Sequence, residues 1–132
     1  MFSLSILQLN HMVIYAMGAT GYVNAIAALS IRSAIDVSAS LGIPVPANWS
    51  EIVDGLHIPF DADRQYHPEY DTYSGQVVKQ ADTIMLGFPL SSWVNSFGDL
   101  PALEFNHTVH TNDLMHYADR TTASGPAMTW AM

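Results

Sequence analysis

Cysteine is absent from the 132 residues, and only four residues are basic, Arg32, Arg64, Lys79 and Arg120, against twelve acidic ones. Without thiols there is no disulfide, no thiolate nucleophile and no thiolate zinc site, and the compartment stays open: secretory, lysosomal and cytoplasmic settings are all compatible. A formal charge of −8 with so few cations repels phosphate-rich partners, which excludes nucleic acid as a partner. No run reaches the roughly 18 continuous apolar residues that a membrane span needs. The apolar opening MFSLSILQLNHMVIYAMGA lacks a basic leader, and Gln8, Asn10 and His11 interrupt it, which argues against a signal peptide. Two glycosylation sequons, Asn48-Trp-Ser50 and Asn106-His-Thr108, suit a secretory route without establishing one. Internal repeats, a phosphate-cradling glycine loop and a nucleophile elbow around Ser124 are missing.

With 49% hydrophobic residues, 11% of all residues being aromatic, the chain is too apolar to stay disordered, and its length allows one domain or a piece of a larger one. Helical periodicity is the main signal. Ile26, Leu29, Val37 and Leu41 share a face in an Ala-rich stretch that Gly42, Pro44 and Pro46 terminate, which predicts a helix over 22–41. Asn48 and Glu51 have the spacing of a capping box, and Trp49, Ile52, Val53 and Leu56 follow it at i, i+3, i+4 and i+7, predicting a helix over 48–56. Residues 57–75 have no sustained period and read as an ordered loop. Ala81, Ile84, Met85 and Phe88 then predict a helix closed by Pro89, with Lys79 and Gln80 at its start, where a cation opposes the helix dipole. A modest helix over TNDLMHYADR, capped by Thr111 or Asn112, and a helix opening at Ser124 with Pro126 in its first turn complete the pattern. No pair of alternating runs joined by a hairpin turn is present, so the expected class is all-α with long irregular loops.

Three groups of residues could carry chemistry. Glu69 and Asp71 beside His67 could form an acid–base carboxylate pair, although acids in a proline-containing loop more simply cap turns or face solvent. His107, His110, Asp113 and His116 are ligand types, but their spacing fits no tight zinc pattern, and neither a metal nor a cofactor is expected. Lys79, the single lysine, precedes Gln80, and a cation beside an amide suits the hydroxyls of a sugar. Residue type alone leaves Lys79 open between a surface lysine and a sugar contact.

The segment IPFDADRQYHPEYDTYSGQVVKQADTIMLGFPL resembles glycoside hydrolase family 65, the family of acid trehalases, disaccharide phosphorylases and the animal collagen-glucosyl glucosidases. The likeness extends back through YVNAIAALSIRSAIDVSASLGIPVPANWSEIVDGL and forward to YADRTTASGPAMTWAM. It covers residues 22–90 and about 114–132, and leaves 1–21 unmatched. It implies an (α/α)6 barrel, of which residues 22–132 would be an incomplete piece, and inversion at an α-glucosidic bond. It also implies that Lys79 and Gln80 bind the glucosyl group of an α-glucoside or glycan substrate, with Tyr66 to Tyr73 walling the pocket.

The phosphorylase branch has a His-x-Ser-Ser type phosphate loop. Here Ala123-Ser124-Gly125-Pro126-Ala127-Met128 offers one hydroxyl and only Arg120 nearby, so the hydrolase branch fits better. Inversion needs an acid and a base about 6.5–9.5 Å apart. The family's proton donor lies before the position of Asn24, where residues 1–35 hold no Asp or Glu, and its base lies beyond the Gly-Pro-Ala-Met-Thr-Trp segment. The expectation is therefore a chain with no catalytic residue of its own, inactive alone, whose inward-facing Leu29, Ile84, Met85 and Trp130 would meet solvent. The alternative is a non-catalytic helical module that binds a carbohydrate or protein. Oligomeric state is not legible.

Overall fold

The computed structural model describes residues 20–91, 103 and 106–125. These residues contain three α-helices, α1 (Gly21–Leu41), α2 (Trp49–Gly55) and α3 (His107–Ala118), together with a 3-10 turn at Thr83–Leu86. Among them there is no strand or sheet, only isolated backbone bridges, and the all-α class holds.

Helix α1 ends in a left-handed Gly42 at φ 67°, a conformation that costs glycine nothing and lets its N–H and that of Ile43 close on the carbonyls of Ala39 and Ser38. The buried face of α1 is Gly21, Ala25, Ala28 and Leu29, and small residues there let α2 and the 3-10 turn approach its N-terminal half. The C-terminal half of the expected stripe is uncovered: Val37 and Leu41 are 56% and 65% exposed. Helix α2 starts at Trp49 as expected, but Asn48 has helical backbone angles and its side chain makes no cap bond, so the expected capping box is not formed.

The helix expected around Ala81–Phe88 is a single 3-10 turn. Two causes act at its two ends. Glu69 takes the N–H groups of Asp82 and Thr83, and Pro89 has no N–H to offer the carbonyl of Met85 four residues back. Ile84 and Met85 are buried as expected of core residues, whereas Phe88 is exposed. Helix α3 begins four residues before Thr111. Its cap is Asn106, with extended backbone and a side-chain oxygen that accepts from Val109 N at 3.0 Å, in place of the expected Thr111 or Asn112. The helix expected to open at Ser124 lies, beyond Gly125, outside the described residues, as do residues 1–19.

Two adjoining apolar clusters make the core. Ala25, Ala28, Leu29, Val53, Ile58, Leu86 and Leu90 join α1, α2 and the 3-10 turn. Tyr66, Tyr73, Ala81, Ile84, Met85 and Tyr117 join the loop, the turn and α3, and Tyr22 of α1 packs against both clusters. Leu29, Ile84 and Met85, expected to face solvent in an incomplete ring, are each 5% exposed or less, because the irregular segment 57–82 folds over them. Trp130 lies outside the described residues.

Candidate functional site

Residues 76–82 run as an irregular strap ahead of the 3-10 turn, and its backbone is fixed at three points. Val78 pairs in parallel with Thr121: its N–H donates to Arg120 O at 2.8 Å, and its carbonyl accepts from Thr122 N at 2.9 Å and from Thr122 Oγ1 at 3.1 Å. Gly125 lies against the next peptide. A Cβ there would sit 2.1 Å from Lys79 O and 2.9 Å from Thr122 O, both backbone atoms, so only glycine permits this approach. Beyond Lys79, Ala81 is buried and the N–H groups of Asp82 and Thr83 are held by Glu69.

On this anchored strap Lys79 is exposed and Gln80 is half-buried. Lys79 pairs with no carboxylate among the described residues. Gln80 Nε2 donates to Asp82 Oδ1. The two residues do not stand at a helix start, as expected, because the first helical turn is the 3-10 turn at Thr83. The aromatic loop before them does not wall an open pocket with all its tyrosines: Tyr66 and Tyr73 are buried in the core, and Tyr70 is half-buried with its ring 5.6 Å from that of Tyr73.

The other candidate residues separate into structural roles. Glu69 is buried and accepts three hydrogen bonds, from Asp82 N at 2.8 Å, Thr83 N at 3.3 Å and Thr83 Oγ1 at 2.6 Å. Burial pushes its pKa above the ordinary carboxylate value, and these donors oppose the shift without cancelling it. Asp71 is exposed and lies 3.0 Å from His57 Nε2, so Glu69 and Asp71 do not face each other across a site. His67 is fully buried against Asp113, which accepts from His67 N at 2.7 Å through Oδ1 and lies 2.9 Å from Nδ1 through Oδ2. The Tyr117 hydroxyl donates to His67 O at 3.0 Å, and burial raises the pKa of that phenol.

Asp113 is thus turned inward with Val109 and Tyr117 on the buried face of α3, away from the metal role that its neighbours His107, His110 and His116 suggested. Among the described residues no group of three or more His, Asp or Glu side chains is arranged to hold a metal ion. His116 stacks on Tyr66 at 4.2 Å between ring centroids, and burial lowers its pKa, with Arg120 and Arg64 adding repulsion. The i, i+4, i+8 spacing of Val109, Asp113 and Tyr117 was a signal available in the sequence for an inward carboxylate. Nothing local marked its partner His67, 46 residues earlier.

Comparison with known proteins finds glucosidases and acid trehalases among the relatives of this chain. The chain is 44% identical over 119 residues to the protein-glucosylgalactosylhydroxylysine glucosidase of Gallus gallus, across 89% of this chain and 15% of that protein. It is 37% identical over 124 residues to the protein of the same name from Dictyostelium discoideum, across 89% of this chain and 16% of that one. It is 36% identical over 101 residues to the periplasmic/secreted acid trehalase of Candida glabrata, across 76% of this chain and 8% of the trehalase. The chain therefore spans less than a fifth of the length of these curated relatives. No protein-family model matches it. No helix among the described residues is long and apolar enough to cross a membrane.

Proposed function

The sequence belongs with glycoside hydrolase family 65, of whose members it matches a segment, and from that premise we propose that it supplies part of the glucosyl-binding pocket of an inverting α-glucoside hydrolase. Lys79 and Gln80 are the contacts. The observation that carries this reading is the contrast at residues 78–82: a backbone fixed by the Val78–Thr121 pair, by Gly125 and by Glu69 presents an exposed lysine beside an amide. A solvated surface lysine needs no such anchoring, whereas a sugar contact gains affinity from groups held in place before binding.

Four of the described carboxylates already have structural partners, which supports the division of labour expected from the sequence. Glu69 and Asp113 are committed to buried hydrogen bonds, Asp61 holds the 62–65 turn, and Asp71 pairs with His57. The segment binds, in this reading, and the acid and base come from elsewhere in a barrel of paired helices.

Calorimetric titration of the chain with methyl α-D-glucopyranoside tests the proposal, with Lys79→Met as the control. Binding that the substitution weakens about 5-fold or more agrees with a charge-assisted contact, and equal affinity in both proteins removes Lys79 from the site. Hydrolysis of an α-glucoside by the chain alone, with release of β-glucose, would contradict the separation of binding from catalysis.

A further inference from the structure

We propose that Asp82 is a positioning residue that fixes the hydrogen-bonding polarity of Gln80, so that the strap offers a sugar one cationic donor and one carbonyl acceptor. The proposal rests on the reading of Lys79 and Gln80 as glucosyl contacts and adds to it which ligand atoms each can serve.

An ionised carboxylate only accepts hydrogen bonds, so the group facing Asp82 Oδ1 must be the Gln80 NH2, and Gln80 Nε2 is the atom found there. The amide is planar, and fixing Nε2 on Asp82 directs Oε1 away from it. Among the described residues nothing donates to Gln80 Oε1. Asp82 is in turn held, because its own N–H donates to Glu69 Oε1 at 2.8 Å while the next residue, Thr83, gives Glu69 both its N–H and its hydroxyl. The chain of support therefore runs from a buried carboxylate, through the backbone, to a second carboxylate, and ends on the orientation of one side-chain amide.

The consequence is chemical selectivity. Lys79 can only donate and Gln80 Oε1 can only accept. A hydroxyl does both, so a sugar hydroxyl facing Gln80 can donate to the amide oxygen, while one facing Lys79 accepts from the ammonium. Fluorine in place of the hydroxyl facing Gln80 keeps a weak acceptor and loses the donor. With the amide reversed, the same site would present two donors and would tolerate fluorine.

The full chain is titrated with methyl α-D-glucopyranoside and with its analogues carrying fluorine at carbon 2, 3, 4 or 6, in the wild type and in Asp82→Asn. The side-chain amide introduced by Asp82→Asn can pair with Gln80 in either orientation, so the substitution removes the polarity with little change in shape. One fluoro analogue is expected to bind about 5-fold or more weakly than the parent glucoside in the wild type, with that difference shrinking to about 2-fold or less in the variant. Equal binding of the hydroxyl and fluoro ligands by the wild type would overturn the proposal, as would a preference that the variant retains in full. A second readout needs no sugar: the Gln80 amide proton bonded to Asp82 should be displaced from the free-glutamine shift and exchange slowly in the wild type, and should move to the free-amide shift and exchange rate in Asp82→Ala. Unchanged amide signals in that variant refute the fixed orientation. Intact amide signals with no glucoside binding at all leave the orientation standing and refute the glucosyl reading instead.

Discussion

Replacing Asp113 removes two hydrogen bonds from a place water does not reach. Both the Asp113 and His67 side chains are 0% exposed, and the carboxylate receives the His67 N–H at 2.7 Å on one oxygen and faces Nδ1 at 2.9 Å with the other. In Asp113→Ala both His67 groups lose their partner, and each buried unpaired donor costs about 1–3 kcal/mol, so a loss of about 2–6 kcal/mol is expected. Asp113→Asn is the more informative change. Its amide oxygen can still accept from the His67 N–H, but an NH2 facing Nδ1 forces the ring proton onto Nε2, a buried atom with no hydrogen-bond partner among the described residues. One unpaired donor then remains, and about 1–3 kcal/mol is lost. Urea unfolding followed by near-ultraviolet circular dichroism gives the two losses, and the 15N shifts of His67 report which ring nitrogen carries the proton. This role of the pair is refuted if Asp113→Asn is as stable as the wild type, or if it loses more than Asp113→Ala, or if the tautomer does not change.

Further expectations concern acid sensitivity and the strap. His116 has a folded-state pKa below 6.5, so the native protein binds its proton less readily than the unfolded chain, and stability falls as pH drops below 6.5. His116→Phe keeps an aromatic ring for Tyr66 and should flatten that part of the melting-temperature profile; an unchanged profile would assign the acid loss to other groups. Glu69 has the opposite sign, because its folded-state pKa is raised above 4.5, and its contribution to stability falls as pH rises through 4.5 toward that value. Glu69→Gln should remove that slope, which thermal melts across the same range would show. Gly125→Ala places a methyl group 2.1 Å from Lys79 O, so the strap must shift, and methyl α-glucoside binding should weaken although Lys79 and Gln80 are both intact. Unaltered affinity in that variant would mean that the backbone anchoring has no part in ligand contact.

Periodicity in the sequence located α1 and α2 to within a residue or two, because both carry strong signals, the Gly42 stop for the first and the i, i+3, i+4, i+7 spacing of Trp49, Ile52, Val53 and Leu56 for the second. It failed where long-range hydrogen bonds replaced local ones. The 81–88 segment has a helical pattern of apolar residues, yet the N–H groups that would open the helix are taken by Glu69, 13 residues earlier, and no local rule sees that bond. The start of α3 was missed because its first turn, His107 to His110, is polar and carries little periodicity, while the cap that defines it, Asn106, lies before it. The buried His67–Asp113–Tyr117 group was illegible for the same reason as Glu69: its members are local in space and 46 to 50 residues apart in sequence. Of the candidate site, the residue types at 79 and 80 were legible from scarcity and resemblance. Their surroundings were not, since Gly125 and Thr121 acquire meaning only once α3 returns the chain to Val78.

The chain's single lysine gives a direct measurement of the central claim. Reductive methylation with 13C-formaldehyde labels Lys79 and the terminal amine, and no other group, so each signal is assigned without ambiguity. Titration with methyl α-D-glucopyranoside should move the dimethyl-Lys79 resonance in a saturable way, with the terminal amine unmoved and with methyl α-D-galactopyranoside or sorbitol causing a smaller change. A Lys79 signal that stays in place at every glucoside concentration, or that responds equally to all three compounds, would contradict the assignment of this cation to a glucosyl pocket.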